Sequence, residues 1–518
     1  MTQEQDRRPS ASGRRLLRRE LTAGFRRAVG LTALGTVLPG AGLTRTRHRK
    51  TGWLLVAVAV GSGAILAYTL LTKGMMKTAL SVVSSPVTLQ VTAIALLIAG
   101  AVWAASIILT AISTRPARLD RTRTRLLAAF TTVMVAFVAA SSYKVAEYAT
   151  VTKDTLDGLF VTSANGTAPT GAPKIVQGED PWAETPRVNI LLLGSDAGVG
   201  REGTRTDSMI VASTDTKTGR TVLISLPRNL MRVPIPEDNP LHEKYPNGYG
   251  VPSCERGANE CMLNAIWTEA DEFKAAHPEA WPGEDSPGRA TVRDVIGETL
   301  QLKIDHTVVV DLRGFSQLVD AMGGIDINVK LSAYGTKLPI GGKSDGQGGI
   351  IGESGYFEPG FQHLDGYHAL WYARTRAADD DFSRMQRQRC VIRAVLDQVN
   401  PGSMLTKYTT IARIARNNIY TDIPGENLSA YVELVERIQK AKITSVAIGP
   451  KAGINSGRPD FDLIHELVQK ALEPPAPTAT PTPTSTSTGS ATSPTSEPTV
   501  TTPGSTTTTT IQDEDECA

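Results

Sequence analysis

Three long apolar runs crowd into the first 145 residues of this 518-residue chain, and they constrain it more than anything that follows. They occupy residues 53–72 (WLLVAVAVGSGAILAYTLLT), 91–112 and 126–142, each near the roughly 20 residues a helix needs to cross bilayer hydrocarbon. Residues 31–145 are therefore expected to form a membrane region with three spanning helices. The stretch at 31–43 is shorter and broken by Pro39 and glycines, so it is expected to be a re-entrant or interfacial hairpin. A cleaved leader is a poor match, because no single short apolar core precedes a cleavage site.

Basic residues flank these runs and set the orientation. They concentrate within residues 1–30, again at Arg45, Arg47, His48, Arg49 and Lys50, and again at Arg115, Arg118, Arg121, Arg123 and Arg125. Cytoplasmic loops carry such excesses. With 1–30 inside, the chain leaves at 53–72, returns at 91–112 and leaves finally at 126–142, which puts everything beyond about 145 outside the cell. A formal net charge of only +2 argues against a globally basic nucleic-acid binder. The alternative, that the basic clusters bind nucleic acid, is weaker because the adjoining apolar runs already explain them.

Residues 146–185 are expected to be a polar linker, and 474–518 a disordered tail of Pro/Thr/Ser repeats ending in an acidic run; neither can bury enough apolar area to fold. Between them, 186–473 alternates strand-like and helix-like patterns. NILLLG, SMIVAS, TVLISL and HTVVVDL are β-branched apolar runs of strand length. Helical patterns fall near 262–276, 289–301, 313–322, 381–398, 426–440 and 460–472. An α/β fold, a central sheet flanked by helices, is expected. The four cysteines, at 254, 261, 390 and 517, have no metal-finger spacing. Outside the cytoplasm they suit disulfides, Cys254 with Cys261 closing a short loop and Cys390 with Cys517 pinning the tail; buried free thiols are the alternative.

The chemistry-bearing residues form two groups. The first strand ends in Gly194, Ser195 and Asp196, and a glycine-bearing loop leads to Arg205, Thr206 and Asp207 at the start of the second. If these strands are antiparallel neighbours, the two aspartates share a sheet edge, and the third strand returns there to finish in Pro227 and Arg228. Two carboxylates suit Mg2+ or Mn2+, whose other positions go to substrate phosphates. A lone loop aspartate is more often a turn former, so the second group matters. That group is WYARTRAADDDFSRMQRQRC, residues 371–390. Read as extended, Arg374 and Arg376 point to one face. In the helix that follows, Arg384 and Gln388 share a face with Asp381 one turn earlier. Guanidinium groups bind phosphate bidentately, and so many cations together need an anion to offset their repulsion. A solvated arginine face is the bland alternative; beside two aspartates, the cluster has the make-up of a pyrophosphate site.

From 186 to about 400 the chain resembles the LytR-CpsA-Psr family of cell-wall ligases, with LLLGSD, RTDSM, SLPRN, LNAIW, GFSQLVDAMGGIDINV, HLDGYHALWYARTR and DFSRMQRQR in the family's order. The resemblance implies a mixed-sheet α/β domain holding a polyprenyl pyrophosphate-linked glycan in an apolar pocket. Its activity is a phosphotransferase reaction, moving the glycopolymer to peptidoglycan through a phosphodiester bond. Carried over by motif, Asp196 and Asp207 are implied as ligands of Mg2+ or Mn2+. Arg205, Arg228, Arg374, Arg376, Arg384 and Gln388 are implied as the pyrophosphate clamp, with Arg384 and Asp381 as the catalytic pair, Asp381 orienting an arginine or serving as base. Met262 departs from the family, which often has lysine there; Lys244 is a candidate replacement. High arginine and alanine use and the Pro/Thr tail resemble an actinobacterial member. The alternatives are a polyprenyl pyrophosphate phosphatase using water at the same site, and a non-catalytic membrane regulator.

Overall fold

The computed structural model describes residues 11–83, 86–117, 119–159, 173–176, 180–196, 204–251, 259–345, 349–398, 407–474 and 517. Cys254, the glycine-bearing loop at 197–203 and nearly all of the Pro/Thr/Ser tail lie outside them. The chain divides into two compact units, the first Met1–Gly166 with Ile423–Tyr431 and the second Thr167–Asp422 with Val432–Ala518.

The first unit contains α1 (Ala11–Val37), α2 (Arg49–Val83), α3 (Pro86–Thr114) and α4 (Arg121–Leu159). Three stretches, Arg49–Thr72, Gln90–Thr114 and Arg121–Thr155, are long and apolar enough to cross a membrane. Leu54, Val58, Ile65 and Leu71 of α2 point outward, as an apolar surrounding requires. Helices α3 and α4 approach closely where Gly100 meets Ser142, since a Cβ at Gly100 would collide with the serine side chain. The Trp103 indole N–H donates to the Gly35 carbonyl at 2.9 Å, tying α3 to α1. Two boundaries differ from the sequence expectation. Residues 31–37 continue α1, and a 3-10 helix, Ala41–Arg45, follows the Pro39 turn, so 31–43 is no separate hairpin. Helix α4 continues to Leu159, through the first part of the expected linker, because 146–159 has no proline or glycine before Gly158 to stop it.

The second unit is built on a mixed six-stranded sheet. Its strands are β1 (Arg187–Ser195), β2 (Thr206–Asp215), β3 (Thr221–Leu226), β4 (His306–Asp311), β9 (Ile419–Thr421) and β10 (Ile443–Ala447), in the order β10-β3-β2-β1-β4-β9. β1 and β2 are antiparallel, as are β2 and β3; β4 runs parallel to β1 and β10 parallel to β3. Two small sheets pair β5 (Ile325–Val329) with β8 (Gly360–Leu364) and β6 (Pro339–Ser344) with β7 (Ile350–Tyr356). The helices are α5 (Ile266–Ala276), α6 (Pro287–Leu300), α7 (Leu312–Met322), α8 (Gly366–Arg374), α9 (Asp381–Gln398), α10 (Tyr408–Asn418), α11 (Leu428–Gln439) and α12 (Phe461–Leu472).

Two cores result. Leu191, Val211 and Ile224 of the sheet pack with Ile266, Val292, Ile296, Ile464 and Val468 of α5, α6 and α12. Val319, Ile325, Ala369, Tyr372 and Val391 make the second, between α7, α8, α9 and β5. Cys390 of α9 belongs to this second core and is disulfide-bonded to Cys517. Cys261 is also disulfide-bonded.

Helix α8 was not among the expected helices, and its last residue, Arg374, was expected in an extended segment with Arg376. Asp365 caps it by accepting from the His368 N–H at 2.9 Å, a start signal that outweighs the aromatic content of YHALWYAR. It begins flush against α7: a Cβ on Gly366 would sit 1.9 Å from the Ser316 carbonyl oxygen. Gly366→Ala is expected to displace α8 and cost about 2–3 kcal/mol, the scale of overpacking a filled site; chemical denaturation of the variant measures it.

Candidate active site

The first functional side chains are positioned by strand register. Ser195 of β1 pairs with Thr206, while Gly194 pairs with Ser208, so Asp207 is the extra residue of a bulge. A bulge re-aims the side chain it carries. Asp196 follows directly, its N–H donating to the Arg205 carbonyl at 3.0 Å, so Asp196 and Asp207 stand at one sheet edge as expected. β3 returns to this edge, Leu226 pairing with Met209, and Arg228 just beyond it places Nη1 3.1 Å from Asp207 Oδ1.

The second half comes from the start of α9. Asp380 accepts from the Ser383 N–H at 2.6 Å, capping the helix and fixing the first turn that carries Asp381 and Arg384. Arg384 is 2% exposed. Its Nη2 donates to Asp381, with oxygens at 3.0 and 3.1 Å, and to the Asp207 carbonyl at 3.1 Å. Arg228 Nε lies 3.4 Å from Asp381 and Arg376 Nη1 3.9 Å. Three guanidinium groups thus meet two carboxylates, leaving a surplus positive charge; Arg384 is buried, Arg228 and the carboxylates are partly so, and Arg376 is exposed. Burial pushes the Arg384 guanidinium down to about 10; Asp381 and Asp207 oppose the fall, and Arg228 and Arg376 add to it. It remains a cation at neutral pH.

Several buried polar atoms here have no hydrogen bond: Nε of Arg228 and Arg384, and Oδ1 of Asn229 and Asn264. Buried polar groups are ordinarily satisfied, so a cluster of orphans beside surplus charge marks a place built for a polar ligand. Asn264 is 2% exposed and its N–H donates to the Arg228 carbonyl at 3.1 Å. The two asparagines are the residues that sequence reasoning missed; their signal lay in SLPRN and LNAIW, motifs read only for their order.

The other expected clamp residues are more spread out. Arg205 contributes its carbonyl to the Asp196 turn and is half-buried. Arg374 ends α8 rather than an extended segment, so it does not alternate with Arg376; its guanidinium lies 5.5 Å from the Trp371 ring centre. Gln388 donates to the Ala373 carbonyl at 3.3 Å, joining α9 to the same end of α8. Lys244, the candidate replacement at the Met262 departure, donates to Glu269 Oε1 at 2.5 Å, which holds it on that carboxylate. Arg387 is structural: it donates to the Tyr372 and Thr375 carbonyls at 2.9 and 2.5 Å and to Asp379 at 2.6 Å.

The match to known sequences agrees with this geometry. Residues 158–471, more than half of the chain, match the LytR_cpsA_psr family. The chain belongs to that family. Among characterised LytR_cpsA_psr proteins, it is 27% identical over 266 residues to the polyisoprenyl-teichoic acid–peptidoglycan teichoic acid transferase TagV of Bacillus subtilis, covering 50% of this chain and 56% of that one. It is 29% identical over 250 residues to the corresponding transferase TagU of Oceanobacillus iheyensis, covering 48% and 62%. The chain thus spans a little over half the length of these relatives. The crystal structure of Bacillus subtilis TagV superposes with a TM-score of 0.36 at 25% identity, over 55% of this chain and 97% of that one.

Proposed function

We propose that this LytR_cpsA_psr protein transfers a glycopolymer from a polyprenyl pyrophosphate carrier to peptidoglycan, outside the membrane that its amino-terminal helices cross. The observation that carries the reading is the Arg228–Arg376–Arg384 cluster around Asp381, in which buried Arg384 and half-buried Arg228 keep Nε atoms without hydrogen bonds and exposed Arg376 stands at the rim, a basket for a pyrophosphate. The relatives TagV and TagU are named as polyisoprenyl-teichoic acid–peptidoglycan teichoic acid transferases, which supports a polyisoprenyl-linked polymer as donor and peptidoglycan as acceptor.

A sugar hydroxyl of the acceptor attacks the phosphorus nearer the glycan, the bond to the bridging oxygen breaks, and polyprenyl phosphate leaves. Such a reaction asks for positioning and charge neutralisation more than for covalent chemistry. Arg228, Arg376 and Arg384 would hold the phosphate oxygens. Asp381 faces three guanidinium groups at 3.0, 3.4 and 3.9 Å, which suits it to orienting Arg384 better than to receiving a proton. Asp196 and Asp207 are hard donors at one strand edge and fit a magnesium or manganese ion. No cluster of three or more His, Cys, Asp or Glu forms among the described residues, so phosphate oxygens and water would complete the ion's shell. Bound there, the ion would neutralise charge on the phosphates. The basic segments at 45–50 and 115–125 support a cytoplasmic placement for those ends and an extracytoplasmic one for the second unit.

The test supplies purified full-length protein with labelled lipid-linked glycan and peptidoglycan fragments. Joined product and polyprenyl phosphate are expected; phosphate-ended glycan released into water with no joined product would instead identify a phosphatase. EDTA, and separately Asp196→Ala, are expected to reduce transfer at least a hundredfold, with Mg2+ restoring the first but not the second. Undiminished transfer in EDTA would remove the metal from the proposal.

A further inference from the structure

The second unit carries an exposed aromatic strip that the transfer chemistry above does not use. Tyr367, Trp371 and Arg374 stand at i, i+4 and i+7 on α8, a spacing that stacks them along one helix face over about 10 Å. The contacts are consecutive. Arg374 lies 5.5 Å from the Trp371 ring centre, and Trp371 lies 6.3 Å from the Tyr367 ring at 68°. The Tyr367 hydroxyl is 3.5 Å from Ser354 Oγ on β7, and in the same hairpin the Tyr356 hydroxyl is 3.5 Å from Glu353 Oε1. Tyr367 is 46% exposed and Tyr356 45%. Exposed rings gathered on one face, rather than scattered singly, mark a binding surface.

We propose that this strip binds the sugar residues of the donor next to its pyrophosphate; the inference rests on the function proposed above. Three features argue for a glycan. The strip starts at an arginine two residues from Arg376, which reaches Asp381, so it adjoins the phosphate end of the site. Its rings offer negative π faces to the polarised C–H bonds on one side of a pyranose. Ser354 beside the Tyr367 hydroxyl and Glu353 beside the Tyr356 hydroxyl supply donors and acceptors that suit sugar hydroxyls. A bilayer surface is the competing occupant of exposed aromatics, but Glu353 beside Tyr356 and Asp365 at the start of α8 are carboxylates that disfavour an anionic headgroup. Trp371 is partly buried against the second core and anchors the strip, leaving Tyr367 as the replaceable ring.

The experiment measures binding of two probes to the full-length protein in detergent: a polyprenyl pyrophosphate bearing a disaccharide, and the same lipid without sugar. Tyr367→Ala is expected to weaken the first about tenfold, the scale of one lost aromatic stacking contact, and to leave the second unchanged. Tyr367→Phe, which keeps the ring, is expected to bind both nearly as the parent does, and both variants should melt with the parent because the ring is exposed. Tyr367→Ala binding both probes like the parent overturns the inference. So does an equal loss for both probes, which would assign the strip to the lipid. A parent protein that binds neither probe defeats the proposed function itself, and this inference with it.

Discussion

Arg384→Met is expected to abolish transfer, lowering the rate by about a hundred- to a thousandfold, the range for removing one preorganised charge-stabilising donor. The fold should survive. Methionine has a similar length, and Asp381 and Asp207 keep Arg228 as a partner. Because neither carboxylate is left as an uncompensated buried charge, the loss of stability is expected to stay below the roughly 3–5 kcal/mol of a fully broken buried pair. Arg384→Lys should also fail, because an ammonium cannot reproduce the planar contacts with Asp381 and the Asp207 carbonyl at once. Labelled-polymer transfer together with a thermal melt separates chemistry from folding; a methionine variant that transfers within a few fold of the parent would remove Arg384 from the mechanism.

Three residues away, Arg387→Met should behave in the opposite way. It strands the Asp379 carboxylate, whose side chain is 1% exposed, and leaves the Tyr372 and Thr375 carbonyls without a donor. Breaking one side of a buried pair costs about 3–5 kcal/mol. Combining it with Asp379→Leu should recover much of that loss, because no buried charge is then uncompensated. The size of the recovery, read by chemical denaturation of the two single variants and the double, measures the coupling. Purely additive losses would show that the pair is not the pin it looks like.

Much of the site was legible because it follows from strand polarity. β-Branched runs located β1 to β4, and once the first three alternate in direction, Asp196, Asp207 and Arg228 must gather at one edge. What was not legible depends on what lies across the fold. Of DDD at 379–381 the sequence singles out only Asp381, which does join the arginine cluster, whereas the structure also buries Asp379 against Arg387 and uses Asp380 to cap α9. Residues 400–473 offered no chemical motif, and their contribution is architectural: β9 is only three residues long, and its pairing with β4 makes it a strand. Helix α8 was not among the expected helices; its signal was the single cap at Asp365.

The parallel pairing of β3 with β10 sets a schedule for the growing chain. Thr221 finds its partner in Ile443, some 220 residues later, so the backbone edge of β3 stays open while the intervening residues are synthesised. Pairings so distant in sequence are slow to close, and an open strand edge invites neighbouring chains. The arginine helix α9 also emerges in that interval, well after the aspartates it meets. The unit therefore acquires its charge balance late in synthesis and its last sheet edge later still, and its yield in the cell depends on how well that interval is guarded.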